Sequence, residues 1–255
     1  MDSILQLETV HKNFGGIKAI DGLDIQVEKN RIVGLIGPNG SGKTTVLNVV
    51  TGVYNPEQGQ VRFNNEEIQG LKPHEVCRKG ISRTFQNIRM IASQTVFSNV
   101  HLGAHVKTHC NLGDAVFRSP RYKNELNEQT EKINEILDFI GLYDIKDEWI
   151  KNVPYGKRKV LEIGRALMAE PQLLLLDEPA AGLNSQEKRN LMELVNKIHD
   201  RGITILLIEH AMEFVEGLTH KTIVINYGKK IAEGSYSEIK NDPEVITAYL
   251  GTRRD

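Results

Sequence analysis

Cysteine is nearly absent from this chain. Of 255 residues only Cys77 and Cys110 carry a thiol, and neither stands in a C-x-x-C pair or a Cys/His spacing. A disulfide framework and a structural zinc site are therefore not expected. Long apolar runs are missing too: the longest, at 173–176 and 203–208, fall far short of the roughly 20 residues a membrane-spanning helix needs. The opening MDSILQLETV has no basic segment leading into an apolar one, so no secretory signal is expected. Charge of one sign is also lacking. The 32 Lys and Arg against 33 Asp and Glu leave a net charge of −1, and no dense basic block is present, which argues against a surface that tracks a polynucleotide backbone. Internal repeats and low-complexity linkers are absent as well. The expectation is a soluble, reduced, intracellular chain.

What is present is a sequence long enough to bury a substantial core, as one large domain or a domain with a subdomain. Short β-like runs open it at 4–10, 23–27, 32–36 and 60–63. Alternation at Leu5/Leu7 and at Leu23/Ile25/Val27 suits a sheet with one solvated face. Between 97 and 140 the pattern is helical, with Leu126, Ile133, Ile136, Leu137 and Ile140 on one face. Ser119 followed by Pro120 predicts a helix start, and Gly141 a stop. From 158 onward helices and strands alternate: helix 158–168, strand 173–176, helix 186–199 capped by Ser185, strand 203–208. Continuous apolar strands are covered on both faces, which indicates a parallel sheet between helices.

Residues 37–44 read GPNGSGKT, between an apolar run and a helix-competent stretch. Gly37, Gly40 and Gly42 allow the backbone to turn its N–H groups inward as an anion nest at the positive end of the next helix. Pro38, Asn39 and Ser41 complete the loop, with Thr45 just beyond it. Lys43 is expected to reach β- and γ-phosphates, and the Thr44 hydroxyl to ligate Mg²⁺.

Two further strands end in polar residues. The run LLLLDEP places Asp177 at the carboxyl end of a buried strand, where α/β sheets bind ligands. Asp177 there is expected to hold Mg²⁺, generally through water, and Glu178 to polarise an attacking water. The run ITILLIEH brings His210 to the equivalent place, where it can bond a γ-phosphate and the same water. A lone His at a strand end is more often structural; the surrounding motifs move the reading toward function.

In order along the chain, GPNGSGKT, RTFQ, VPYGKRKVLEIGRAL, LLLLDEP and IEH together resemble an ABC-type ATP-binding subunit over nearly the whole length. SRTFQN, DEPAAGLN, LLIEHAMEFV and PEVITAYLG are most similar to ATPase subunits of branched-chain amino acid importers. The resemblance implies an α/β P-loop NTPase (RecA-like) core with an antiparallel β subdomain and an inserted α-helical subdomain. Core and β subdomain would occupy 1–86 and 161–255, and the helical insertion about 87–160.

The same resemblance implies that Phe14 stacks on adenine, though a core Phe at a strand end remains open. It gives Gln86 to Mg²⁺ or its water and to relaying nucleotide state, with a surface Gln as the alternative. Ala181, Gly182, Leu183 and Asn184 become a subunit-contact loop. Where the superfamily usually has Leu-Ser-Gly-Gly-Gln, this chain has Val153-Pro154-Tyr155-Gly156-Lys157. Pro154 cannot supply the Ser hydroxyl that meets the opposite subunit's γ-phosphate. N–H groups from Tyr155 onward, a helix dipole beginning near Lys157 and the Lys157 ammonium remain to meet it.

The implied function is ATP hydrolysis with Mg²⁺, catalysed by Glu178, His210, Lys43 and Gln86 and driving import of branched-chain or other amino acids. Implied partners are a second nucleotide-binding subunit, identical or related, integral permease subunits at the cytoplasmic face of the membrane, and indirectly a solute-binding protein. No nucleic acid is implied. A lipid or polysaccharide exporter ATPase is the alternative. Non-transport ABC ATPases of DNA repair or translation carry coiled-coil insertions or tandem cassettes that this chain lacks.

Overall fold

A computed structural model describes residues 2–84, 89–107, 114 and 119–250. The chain divides into two compact units, one built from Met1–Arg83 and Gln172–Asp255, the other from Thr84–Pro171.

In the first unit, β1 (Ser3–Phe14) and β2 (Ile17–Glu28) form an antiparallel hairpin. β3 (Ile32–Ile36) leads through the 37–42 loop into α1 (Lys43–Val50). β4 (Gln58–Phe63), β5 (Glu66–Glu67), α2 (Pro73–Arg78) and β6 (Ile81–Arg83) follow. β1, β2, β4 and β5 make an antiparallel sheet in the order β2-β1-β4-β5. Along β2, Leu23, Ile25 and Val27 are buried while Asp24 and Gln26 face out, as the alternation required.

The second unit contains α3 (Val96–His101), running into a 3₁₀ turn at Leu102–Lys107, then α4 (Pro120–Phe139) and α5 (Tyr155–Leu167). Ser119 caps α4 by accepting the Tyr122 N–H at 3.2 Å. Ile133, Ile136, Leu137 and Ile140 are buried, but Leu126 is 38% exposed, so the apolar stripe covers only the C-terminal part of the helix. Gly164 on α5 lets the Ile140 side chain pack close, its Cδ1 lying 2.5 Å from where a Cβ would stand, so a larger residue there would have to displace the end of that side chain. α5 also starts earlier than its apolar pattern suggested. Pro154 sits at its N-cap, and with its fixed φ of −56° it leads directly into helical geometry from Tyr155.

Back in the first unit, β7 (Leu173–Asp177), α6 (Ser185–Asp200), β8 (Thr204–Ile208), α7 (Met212–Leu218), β9 (Lys221–Asn226) and β10 (Lys229–Gly234) are followed by α8 (Tyr236–Ile239) and α9 (Pro243–Leu250). The larger sheet runs β10-β9-β3-β8-β7-β6, parallel throughout except for β10. Every residue of β3, β7 and β8 is buried. At about 1.5–3 kcal/mol for each fully buried aliphatic side chain, these strands are a main source of the unit's stability. The cap of α6 is Asn184, one residue before the expected Ser185. Its Oδ1 accepts from Gln186 and Glu187 N–H, and the Glu187 side chain accepts the Asn184 N–H in return, a reciprocal box that Ser185 could not close.

Candidate functional site

The carboxyl ends of the neighbouring strands β3, β7 and β8 carry the residues that the sequence singled out. The loop leaving β3 is held by close backbone approach. A Cβ on Gly37 would lie 2.1 Å from the Ile225 carbonyl oxygen, and one on Gly42 2.4 Å from that of Ala19, so both positions require glycine. Gly42 also has φ 108° at the N-cap of α1, a conformation that L side chains rarely adopt. The Gly228 N–H donates to Ser41 O at 2.9 Å, bracing the loop from the β9–β10 turn.

Lys43 is buried and folds over its own loop, its Nζ donating to Gly37 O at 2.8 Å, Pro38 O at 2.9 Å and Ser41 Oγ at 3.4 Å. Burial pulls its pKa below the ordinary lysine value, and the charges of Glu178 and Asp177 partly restore it. Asn39, Gly40 and Thr44 are exposed at the mouth of the loop, with Pro38 and Thr45 half-buried. A glycine-rich loop, a buried ammonium and a helix N-terminus together fit a polyphosphate.

Asp177 closes β7, with Oδ2 accepting from Arg83 Nη2 at 2.7 Å. Arg83 Nη1 donates to Asn48 Oδ1 on α1, also at 2.7 Å. Glu178 follows with φ +49°, a left-handed conformation that a glutamate adopts at a cost of about 1–3 kcal/mol. Its N–H donates to Ile208 O at 2.9 Å. Its Oε1 lies 3.1 Å from His210 Nε2, so the structure brings the carboxylate and the imidazole together.

Between them lies a group the sequence reading passed over. Glu209 is 3% exposed, and its carboxylate accepts the N–H groups of Ala180 at 2.6 Å, His210 at 3.0 Å and Ala211 at 3.3 Å. Burial raises its pKa, the three N–H donors oppose that, and Glu178 adds to the rise. Arg83 was passed over likewise. A charged residue just past an apolar strand was the signal available for Glu209, and the short Ile81–Arg83 strand offered none for Arg83.

Phe14 ends β1 with its ring 43% exposed, so the alternative of a core Phe is not what the structure has. The ring packs edge-on to Tyr54 at a 5.1 Å centroid distance, with Lys12 Nζ 5.4 Å from its centre. Gln86 lies outside the described residues. In the other unit, Tyr155 and Lys157 are exposed and Gly156 is buried in the first turn of α5, which has no side-chain cap. Its terminal N–H groups are supplied by the 13-residue helix itself, from Tyr155 rather than from Lys157. A cation held by one hydroxyl, one carboxylate and substrate phosphates is a donor set that Mg²⁺ accepts, and Thr44 and Asp177 fit it.

A family model described as ABC transporter matches residues 20–181. The chain belongs to the ABC transporter family. A second model, described as branched-chain amino acid ATP-binding cassette transporter, matches the cassette at residues 229–255. The cassette is 39% identical to the high-affinity branched-chain amino acid transport ATP-binding protein BraF of Pseudomonas aeruginosa, over 97% of this chain and 98% of that one. It is 36% identical to LivG of Escherichia coli, which carries the same description, again over 97% and 98%. Among solved structures it is similar to a nucleotide-free ATP-binding cassette from an ABC transporter, with TM-score 0.85 and 35% identity over 98% of this chain and all of that one. The ADP conformation of such a cassette matches with TM-score 0.85 and 33% identity over the same shares. The cassette is thus an ATP-binding, ATP-hydrolysing subunit with the P-loop NTPase fold. No helix among the described residues is long and apolar enough to cross a membrane.

Proposed function

We propose that this ATPase powers import of branched-chain or closely related amino acids, working as a pair of cassettes beneath membrane permease subunits fed by a solute-binding protein. The observation that carries the catalytic part of this reading is the Glu178–His210 contact of 3.1 Å at the strand ends beside the phosphate loop. The amino-acid cargo is supported by the names of the relatives and by the branched-chain model over 229–255. Both favour import over a lipid or polysaccharide exporter.

In this reading ATP lays its phosphates in the loop 37–44. Lys43 exchanges its bonds to the loop carbonyls for bonds to β- and γ-oxygens, and the adenine stacks on Phe14, worth about 1–3 kcal/mol. Thr44, Asp177 and Gln86 would hold Mg²⁺, which would supply charge neutralisation to the phosphates. Glu178 accepts a hydrogen bond from the attacking water and polarises it for in-line attack. His210 orients that water and bonds the γ-phosphate. Pro154, Tyr155, Gly156 and Lys157 present the α5 N-terminus to the γ-phosphate held by the second cassette, so each nucleotide joins two chains until hydrolysis removes the bridge. The strain at Glu178 supports this assignment, since unfavourable backbone held in place by its surroundings collects at such sites.

Glu178→Gln tests the mechanism. The amide still fills the site but is a much weaker acceptor for the water proton, so the variant is expected to bind ATP and accumulate as a dimer while turnover falls by about 10²–10⁴. A variant that stays monomeric with ATP and Mg²⁺ on size-exclusion chromatography overturns the reading. Loss of labelled leucine uptake on deletion of the gene, restored by the wild-type chain, tests the cargo.

A further inference from the structure

Glu209 belongs to neither the phosphate loop nor the Glu178–His210 pair, yet it binds the backbone of both segments that carry the pair. Its Oε1 takes the N–H of Ala180, two residues beyond Glu178, and its Oε2 takes those of His210 and Ala211. Ala180 in turn opens the Ala181-Gly182-Leu183-Asn184 turn that caps α6. Glu178 is consequently held from two directions, by its own N–H on Ile208 O and by the anchored Ala180. An ionised carboxylate suits this position because it only accepts, and it can take donors arriving at both oxygens. A buried charge needs such partners: isolated, it is strongly disfavoured, whereas charge-assisted bonds to several N–H groups hold it.

We infer that Glu209 is a positioning residue for hydrolysis, fixing the Ala181–Asn184 turn and the His210 segment in the arrangement where Glu178 and His210 meet. This rests on the roles given to Glu178 and His210 above. Glu209 is 3% exposed with both oxygens bound to backbone N–H groups, so its loss is expected to alter the hydrolytic step and leave ATP affinity intact. It also makes the Ala181–Asn184 turn and His210 move as one piece, so that a displacement of the turn by the second cassette reaches the imidazole through a single side chain.

Glu209→Gln keeps the shape but has one acceptor oxygen, so one of the two segments faces an amide N–H donor. Turnover, binding of a fluorescent ATP analogue and melting temperature are measured on the purified full chain. The expected result is a kcat lower by about tenfold or more, since misplacement of about 1 Å costs on the order of 10²-fold, with KM and analogue Kd within about twofold. In a Glu178→Gln background the same change is expected to lower turnover no further. Glu209→Asp is a second variant: it keeps the charge and both acceptor oxygens but is one methylene shorter, so it cannot reach the Ala180 N–H and the His210 and Ala211 N–H groups together. It is expected to lower kcat by about two- to fivefold. Val195→Ala on α6, buried away from these groups, is the control for general destabilisation and is expected to keep kcat.

Unchanged kcat in folded Glu209→Gln overturns the inference, as does an equal kcat loss in Val195→Ala at a matched melting temperature. Should Glu209→Gln not fold, Glu209→Asp decides, and kcat unchanged there overturns it. Normal turnover by Glu178→Gln is a different failure, because it removes the catalytic reading itself. Blocked turnover in Glu178→Gln with normal kcat in Glu209→Gln removes only the inference.

Discussion

Replacing Arg83 with methionine is expected to cost this protein more stability than most single substitutions. The guanidinium is 8% exposed and the Asp177 carboxylate 3%, with 2.7 Å between Nη2 and Oδ2. At an effective dielectric of about 20, that separation corresponds to roughly 6 kcal/mol of attraction, most of it offset by the desolvation of both charges. Removing one partner forfeits the attraction and leaves the desolvation of the other, which typically costs about 3–5 kcal/mol. The Asn48 bond adds about 1 kcal/mol, and methionine refills most of the stem volume, so the cavity contribution is small. A loss of about 4 kcal/mol lowers the melting temperature of a chain this size by about 8–16 °C. The assay is thermal and urea unfolding without nucleotide for Arg83→Met, Asp177→Asn and the double variant. The double variant is expected to be less destabilised than the sum of the singles by about 2 kcal/mol, because the second change removes a buried carboxylate that has already lost its guanidinium. A drop below about 3 °C for Arg83→Met, or singles that add within about 0.5 kcal/mol, would refute the reasoning.

Lys43→Ala removes an ammonium whose bonds are to loop carbonyls, and is expected to weaken ATP binding by about 10–100-fold, the worth of one charge-assisted bond, while the melting temperature of the nucleotide-free chain moves little; titration with a fluorescent ATP analogue and a melting curve check both halves. Asn184→Ala deletes the acceptor for the Gln186 and Glu187 N–H groups and is expected to destabilise by about 1 kcal/mol, measured as a shift in the urea midpoint. His220 has its pKa held below 6.5 by burial first, then by His199 and Arg31. Below about pH 6.5 the unfolded chain therefore binds the extra proton before the folded one does, so the stability linked to His220 is complete above that pH and is lost as the pH falls through the lower folded value. His220→Asn, which keeps an acceptor for the Ile32 N–H, is expected to flatten the melting-temperature profile between pH 5 and 7 relative to wild type, and an unchanged slope would count against this account.

Much of the core and of the phosphate loop was legible in the sequence because both obey short-range rules. The fully apolar strands β3, β7 and β8 announce burial on both faces, and the glycines of the loop stand where backbone meets backbone, at Ile225 O and Ala19 O. What was not legible depends on partners distant in sequence. Arg83 finds Asp177 94 residues away, and Glu209 finds Ala180 29 residues away. Nothing in the local pattern distinguishes either from a solvated charge at a strand end. The α6 cap was misplaced by one residue because both Asn184 and Ser185 are good caps, and only the return bond from Glu187 selects the former. The early start of α5 was missed because its first turn, Tyr155-Gly156-Lys157, lacks apolar periodicity. Proline fixes that start through its backbone alone, a signal independent of hydrophobic pattern.

The three carboxylates at the ends of β7 and β8 explain why the site can exist before nucleotide arrives. Asp177 is paired with the Arg83 guanidinium, Glu178 meets His210, and Glu209 is solvated by backbone N–H groups, so each carboxylate of the cluster has a different kind of partner. Mutual repulsion would otherwise push the strand ends apart or keep one carboxyl protonated. The compensations are not interchangeable. A guanidinium brings a full charge and a rigid fork of donors, an imidazole brings a single ring nitrogen to the contact, and N–H groups supply dipoles without net charge. The imidazole sits beside Glu178, the carboxylate assigned to the water. Asp177 and Glu209, each 3% exposed, are fixed by the frame, while Glu178 and His210, 20% and 38% exposed, form a more open pair with room to take in a water without loosening the frame that holds it.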